Sequence, residues 1–176
     1  SAEGLGKIDD TGGMAGVQTL TVELYLRLDD TSPGQVIVSQ STGPVGSPDW
    51  HIETFEPTGN LIPIRWMEGQ LPGFPDNFVT YTHLNKGQTH HIALVRKVGP
   101  DDTVTAQWFV DGEPSTEVPL DNAIELDLSV RPIYLGSQAG TSGFMAGFID
   151  ELRISSEALY AEPFTPGPLE AGPATL

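Results

Sequence analysis

The sequence predicts an all-β protein that folds as a two-sheet antiparallel jelly-roll β-sandwich. About a dozen short runs rich in Val, Ile, Thr, Tyr and Phe have the composition of β-strands. Turn residues separate these runs, since the 176 residues include 20 glycines and 15 prolines. One long run also alternates strictly between apolar and polar residues. Many short strands with frequent turns are typical of a jelly roll, and a chain of this length is most simply one domain with a substantial core.

The strand predicted over residues 19–28 has the clearest alternation. Its apolar side chains share one face: Leu20, Val22, Leu24, Leu26 and Leu28. The residues between them share the other face: Thr19, Thr21, Glu23, Tyr25 and Arg27. This pattern predicts a strand with one buried face and one partly wet face, as in a sheet of a sandwich.

Further strands are predicted in the middle of the chain, at 36–40, 50–55, 61–67 and 78–82. Long loops rich in Gly and Pro connect them at 41–49 and 68–77. Pro63 lies inside one of the strand patterns. Because proline has no N–H to donate, it predicts that this strand lies at a sheet edge or contains a bulge.

The next strands are predicted at 90–96 and 104–110. Asp111-Gly112 follows the second of them and has the composition of a tight hairpin turn. A return strand is expected at 113–118, and another short strand at 131–136.

The stretch 144–154 reads as a buried-face strand that carries polar residues near its end. Its apolar residues are Phe144, Phe148, Leu152 and Ile154, and its charged residues are Asp150, Glu151 and Arg153. Gly143 and Gly147 flank the first aromatic residue, so a bulge or a close backbone approach is expected there. Residues 163–176 contain four prolines. We therefore predict a domain over residues 1–162 and a Pro-rich tail or linker over 163–176.

Three motifs resemble those of laminin-G-like jelly-roll domains, which belong to the concanavalin A-like lectin/glucanase superfamily. The motifs are Gly147-x-Ile149-Asp150-Glu151-Leu152-Arg153-Ile154-Ser155 followed by Ala158-Leu159, the run from Thr89 to Val95, and Trp108-Phe109-Val110-Asp111-Gly112. They occur in the family's order, and the resemblance covers residues 15–160. It implies a concanavalin A-like sandwich that binds a ligand, with carbohydrate as the leading class.

Composition excludes several kinds of partner. The net charge is −16 with only eight Lys plus Arg, so the surface repels phosphate backbones and anionic lipid headgroups. We therefore predict no nucleic-acid partner. No apolar run approaches the length of a membrane span, so we also predict no membrane insertion. There is no cysteine, which excludes disulfides and thiol chemistry. Because the chain begins with Ser1, a missing export signal carries no information.

The chain is predicted not to be an enzyme. Retaining glycoside hydrolysis needs two carboxyl groups about 5 Å apart over one face of a sheet. Glu53 and Glu56 are separated by two residues, with Phe55 where an acid is needed. Asp150 and Glu151 are adjacent, so they point to opposite faces of a strand. His90 and His91 are also adjacent, and we expect one to pack at the sheet and the other to meet solvent.

Asp150 is the leading candidate for a metal ligand. The resemblance implies a structural Ca²⁺ that ties an N-terminal loop to this carboxylate, with Asp9 and Asp10 as candidates for the other end. Calcium takes about six to eight oxygen ligands, many of them backbone carbonyls, so a sequence shows only part of its shell. The alternative is that Asp150 caps a turn or pairs with Arg153.

The second candidate is a platform for a sugar, because planar aromatic rings stack on pyranose faces while polar side chains bind hydroxyls. The predicted ligand-binding residues are Trp50, Trp66, Phe74, Asp76, Asn77 and Tyr81, which lie in or beside the two long loops. For Trp66 and Tyr81, a place in the core is the competing interpretation, because both lie inside strand patterns.

These observations predict a non-catalytic ligand-binding module of a larger extracytoplasmic protein. Its partners would be a glycan or a protein, together with other domains of a parent chain. The leading function is carbohydrate binding, with calcium as a possible stabiliser. The alternative is a protein–protein adhesion or assembly module that uses a sheet face or edge, and a glycoside hydrolase is the least favoured.

Overall fold

The computed structural model describes residues 6–8, 16–41, 48–68, 80–120, 123, 126 and 132–170. Within these ranges the regular structure consists of strands alone, as the sequence predicts. In chain order they are β1 (Gly6–Ile8), β2 (Leu20–Leu28), β3 (Val36–Ser41), β4 (Pro48–Thr54), β5 (Leu61–Glu68), β6 (Thr80–Asn85), β7 (Thr89–Val98), β8 (Val104–Val110), β9 (Glu113–Pro114), β10 (Val118–Pro119), β11 (Ile133–Leu135) and β12 (Gly147–Ser155).

The strands form two antiparallel sheets of a jelly-roll sandwich. The first sheet has the order β1-β11-β3-β4-β5-β6. The second has the order β10-β8-β7-β2-β12, and β9 also pairs with β8. Asp111 and Gly112 join β8 to β9 with positive φ angles of 54° and 84°, as the mirror-image hairpin turn requires.

The apolar face of β2 lies between the sheets, as the alternation predicts. All five of its predicted core residues are fully buried and pack with apolar residues from β4, β5, β7 and β8. Trp108 is fully buried in the same cluster. Alternation along each strand therefore decides which side chains form the core and which lie on the outer faces.

An ion pair crosses the buried space between the sheets. Arg96 of β7 donates from Nε to Oε1 of Glu68 in β5, at 2.5 Å. The two side chains are 1% and 0% exposed. Trp66 also donates its indole N–H to Glu68 Oε1 at 2.9 Å, and Arg96 binds the carbonyl of Gln18. Buried charges are tolerated only when they are paired and hydrogen-bonded, as these are.

The sequence predicts that Pro63 lies at a sheet edge or a bulge, and in the structure it lies at neither. Its strand, β5, pairs with β4 on one side and β6 on the other, so it is not at an edge. The ladder with β4 ends at the Thr54–Ile64 pair, and Pro63 accepts a hydrogen bond from Phe55 just beyond it. In an antiparallel ladder the N–H and C=O of a residue point to the same side, so the missing donor faces the end of β4.

The closing strand β12 is an edge strand whose glycine and bulge have separate roles. A Cβ at Gly147 would collide with the carbonyl of Arg27, so a close backbone approach occurs there as predicted. The register shift lies later, between Asp150 and Arg153, where Glu151 has a positive φ of 52°. The bulge returns Ile154 to the buried side and leaves Asp150 exposed.

Residues 157–170, which we call the C-terminal strap, lie against the outer face of the second sheet. Phe164 stacks on Tyr160 with ring centroids 3.7 Å apart, and both rings pack on Ala93, Val95 and Phe109. Residues 163–170 are predicted as part of a tail or linker, but in the structure they are bound to the domain. The partly wet face predicted for β2 is therefore covered over part of its length.

Beneath the strap lies a buried polar network centred on Glu23. Its carboxylate accepts hydrogen bonds from Arg153 Nε at 2.6 Å and from the Tyr160 hydroxyl at 2.8 Å, and His91 Nε2 lies 3.2 Å away. Burial alone raises the pKa of Glu23, but these partners outweigh it and lower the pKa below its ordinary value. Burial and the bond to Glu23 raise the pKa of Tyr160 to about 12.

The strap also explains why the expectation for the two histidines is wrong. His90 and His91 face opposite sides of β7, as adjacent residues must, but both are buried. His91 lies under the strap, with its ring edge-on to Phe164 at 5.7 Å. His90 faces the interior, so neither imidazole is the solvent-facing residue that the sequence predicts.

Candidate functional site

The outer face of the first sheet carries the candidate site, at the position where β4, β5 and β6 lie side by side. The register places Glu53, Arg65 and Tyr81 in one row across these strands. Phe55 and His83 flank Pro63 in the next row. Because side chains alternate along a strand, all of these residues project away from the core. The arrangement gathers polar and aromatic groups on one surface.

Glu53 and Arg65 form the polar floor of this face. Arg65 donates from Nε and Nη2 to Glu53 Oε1, at 2.8 and 2.5 Å. The other carboxylate oxygen lies 3.5 Å from His51 Nε2. Burial alone raises the pKa of Glu53, but His51 and Arg65 outweigh it and lower the pKa below its ordinary value. The carboxylate is therefore ionised at neutral pH and serves as a hydrogen-bond acceptor.

Aromatic rings flank the polar floor on both sides. Phe55, just past the end of β4, is 37% exposed, and the Arg65 guanidinium carbon lies 4.2 Å from its ring centre. Tyr81 of β6 is 59% exposed and meets His83 edge-on at 6.3 Å. Such a cation–π contact orients the guanidinium, and the rings leave planar surface available to a ligand.

The predicted tryptophans belong to the core instead. Trp50 and Trp66 are both 0% exposed and stack on each other with centroids 4.8 Å apart. Their indole N–H groups donate to Gln40 and Glu68. Their assignment to ligand binding is therefore wrong in this structure, since neither presents a ring to solvent. The physical reason is the alternation of side chains along a strand. Trp50 shares the inward face of β4 with Ile52, and Trp66 shares the inward face of β5 with Ile64.

Of the other predicted ligand-binding residues, Tyr81 lies on the candidate face and remains a prediction. Phe74, Asp76 and Asn77 fall outside the described residues. Phe55, Arg65 and His83 also lie on this face, and the sequence did not predict them as ligand-binding residues. For Phe55 and Arg65 a signal was available, because each lies opposite in parity to the isoleucines of its own strand pattern, whereas His83 lies beyond the strand predicted at 78–82. The sequence does not show which strands become neighbours, and that information is needed to group these residues into one site.

The structure does not by itself complete a calcium site around Asp150. The side chain is exposed, and Oδ1 accepts a hydrogen bond from the backbone N–H of Glu151 at 3.0 Å, which is a turn-capping contact. Arg153 pairs with Glu23 rather than with Asp150. Among the described residues, no group of three or more His, Cys, Asp or Glu could hold a metal ion. Asp9 and Asp10 lie outside the described residues, so calcium binding stays a prediction.

The calcium prediction is tested by thermal unfolding with added Ca²⁺ or a chelator. A ligand that binds only the folded state at 100 times its Kd stabilises it by about 2.7 kcal/mol. We therefore expect calcium to raise the Tm of the natural protein and to have less effect on Asp150→Asn. Identical melting curves in calcium and in chelator would contradict the prediction.

Two of the candidate catalytic groups, Glu53 and His90, are held by other contacts. Glu53 is bound by Arg65, so it is a poor proton donor. His90 Nε2 accepts the backbone N–H of Asn85 at 3.3 Å, which places its proton on Nδ1, 2.7 Å from Asp111. Both nitrogens of this imidazole are thus committed to structural bonds.

Solved structures similar to this chain share its fold. A heptameric SAP-like pentraxin from Limulus polyphemus superposes with a TM-score of 0.68 and 14% identity, covering 89% of this chain and 70% of the pentraxin. Domain 4 of AbnA, an extracellular arabinanase from Geobacillus stearothermophilus, was solved with arabinotriose; its TM-score is 0.56 at 15% identity, covering 88% and 67%. The CBM40 module of a Ruminococcus gnavus IT-sialidase gives 0.54 at 14% identity, covering 82% and 79%.

Sequence comparison assigns the family. No curated protein matches the chain. Among the described residues, no helix has the length and apolar character that crossing a membrane demands. Residues 5–163 match the laminin G family model described as the concanavalin A-like lectin/glucanases superfamily. Together with the two-sheet jelly roll, this match shows that the chain belongs to that superfamily.

Proposed function

We propose that this protein is a non-catalytic carbohydrate-binding module and that the outer face of β4, β5 and β6 is its binding surface. One observation carries the proposal: a fixed polar floor, Glu53 with Arg65, lies between the exposed rings of Phe55 and Tyr81. A sugar needs both kinds of contact. Its C–H faces pack on aromatic rings, and its hydroxyls exchange hydrogen bonds with fixed polar groups.

The polar floor suits hydroxyl recognition because its geometry is already fixed. The Arg65–Glu53 bonds and the Phe55 contact hold both charged groups before any ligand arrives. Pre-organised groups lose little side-chain entropy on binding, so more of the interaction energy appears as affinity. Arabinotriose bound to domain 4 of the arabinanase supports the choice of a sugar as ligand for a domain of this fold.

The module is further proposed to act as part of a larger extracytoplasmic protein. Of the structures with a similar fold, domain 4 of AbnA belongs to an extracellular arabinanase, and the CBM40 module belongs to an IT-sialidase. A structural calcium ion near Asp150 remains part of this proposal. Catalysis is not, because Glu53 and His90 are both held by structural partners.

The proposal predicts that Tyr81→Ala weakens glycan binding at least about tenfold, the equivalent of 1.4 kcal/mol of lost contact energy. Glycan-array screening would first identify a ligand, and calorimetric titration would then compare affinities. Phe148→Ala is the matched control, since Phe148 is an exposed aromatic residue on the other sheet. Equal loss in both variants, or no binding to any glycan, would contradict the proposed function.

Protein–protein adhesion is the second candidate, and it rests on a different surface. Phe148 of the edge strand β12 is 51% exposed, and Phe144, just before this strand, is 50% exposed. Exposed aromatic residues at a sheet edge are typical of interaction sites. If this surface carries the function, Phe148→Ala would abolish capture of a partner protein and Tyr81→Ala would leave it unchanged.

A further inference from the structure

We infer that the ligand of the β4–β6 face is an uncharged glycan, and that glycans bearing carboxylate or sulfate groups are rejected. This inference rests on the proposed function and narrows its ligand class. Its basis is the pairing of arginine with carboxylates, on the face itself and across the rest of the described chain.

On the face itself, the positive charge of Arg65 is already neutralised. Both Nε and Nη2 are directed at one oxygen of Glu53, and the two side chains are only 15% and 14% exposed. Arginine recognises an acidic sugar best when its guanidinium can form two parallel bonds with the ligand's carboxylate. To offer such a pair, Arg65 would have to release Glu53 and leave a largely buried carboxylate without this partner, which is costly.

Elsewhere, the arginines are used in the same way. Arg27 pairs with Asp29, Arg96 with Glu68 and Arg153 with Glu23. Together with Arg65, these are all the arginines within the described ranges, and each has a carboxylate partner. A bound acidic glycan would thus meet paired cations in every described part of the surface that carries arginine.

Long-range electrostatics adds to this local effect. With a net charge of −16, the protein repels an approaching anion before contact, most strongly at low ionic strength. A neutral glycan is unaffected by this field. Its hydroxyls can donate to the ionised Glu53 while its ring packs on Tyr81, and the ligand itself carries no charge that must lose its water.

The test compares matched pairs of oligosaccharides that differ only by one carboxylate or sulfate, on an array and then by calorimetry at 50 mM and 500 mM NaCl. We expect the acidic member to bind at least tenfold more weakly at low salt, and the difference to shrink at high salt. Neutral binding should not change with salt. Glu53→Gln keeps the shape of residue 53 but removes the charge that pairs with Arg65. In this variant the affinity for the acidic member should rise relative to the affinity for the neutral one. Thermal unfolding checks that the variant is folded.

Two results would overturn the inference, and they have different consequences. If the acidic member binds as tightly as the neutral one or more tightly, the ligand class is wrong but the proposed function stands. If neither kind of glycan binds, both the inference and the proposed function fail.

Discussion

Glu68→Gln is expected to lower the free energy of unfolding by about 3–5 kcal/mol, the usual cost of removing one partner of a buried ion pair. The substitution keeps the shape of the side chain and leaves an acceptor for the Trp66 indole. It removes the charge that balances Arg96, whose side chain is 1% exposed between the two sheets. The guanidinium then remains buried without the negative charge of Glu68, and less of the cost of its desolvation is offset.

Chemical unfolding, with the midpoint and slope fitted together, measures this change. Glu117→Gln is the matched control, because Glu117 pairs with Lys97 at 2.9 Å on the surface, where the side chains are 36% and 44% exposed. Surface pairs contribute about 0–1 kcal/mol, so the control should change little. Replacing Glu68 and Arg96 together by apolar residues should recover much of the loss. Equal effects of the two single substitutions would show that burial does not set the strength of the pair.

The central features of the fold could be predicted because they depend on local patterns. The alternation along β2 assigns each leucine to the core regardless of which strands become its neighbours. Asp111-Gly112 predicts a hairpin because few other dipeptides adopt two positive φ angles in succession. Both signals are contained within about ten residues of sequence.

The candidate site could be predicted only in part, because it is defined by strands that are distant in sequence. Tyr81 was predicted from its aromatic ring and from its position near a long loop. Arg65 and Phe55 become site residues only through the register that places them beside it and beside Glu53. Trp50 and Trp66 lie close to long loops in sequence, and that proximity favoured a binding role. The parity that they share with Ile52 and Ile64 is what places them in the core.

The C-terminal strap shows the limit of composition as a guide. Its prolines are typical of a linker, because they prevent helix and interrupt sheet. Proline does not prevent an extended segment from packing on a sheet, however, and Phe164 supplies the apolar contact. A Cβ at Gly112 would collide with the Phe164 carbonyl, so the hairpin turn and the strap fit each other closely. This contact joins residues that are distant in sequence, so the composition of the C-terminal segment cannot predict it.

Ending the chain after Glu162 is therefore expected to destabilise the domain by about 2–4 kcal/mol, although the sequence alone predicts a tail or linker there. Burying a phenylalanine contributes about 1.5–3 kcal/mol, and a stacked aromatic pair adds about 0.5–1.5 kcal/mol. The truncation removes the Phe164 ring from Tyr160. It also removes hydrogen bonds from the strap to the sheet, including Phe164 N–H to the Gly112 carbonyl and Arg153 Nη1 to the Glu170 carbonyl.

Thermal and chemical unfolding measure the loss of stability. An alkaline titration followed by tyrosine absorbance shows whether the environment of Tyr160 has changed. Burial raises the pKa of Tyr160 to about 12, so this tyrosine should titrate nearer its ordinary value of 10 once the covering ring is gone. Phe164→Ala should reproduce much of both effects because it removes the same ring. Phe148→Ala, on the same sheet but 51% exposed, should change stability by less than about 0.5 kcal/mol. A truncated protein that is as stable as the natural one, with Tyr160 still titrating near 12, would mean that the strap lies on the sheet without stabilising it.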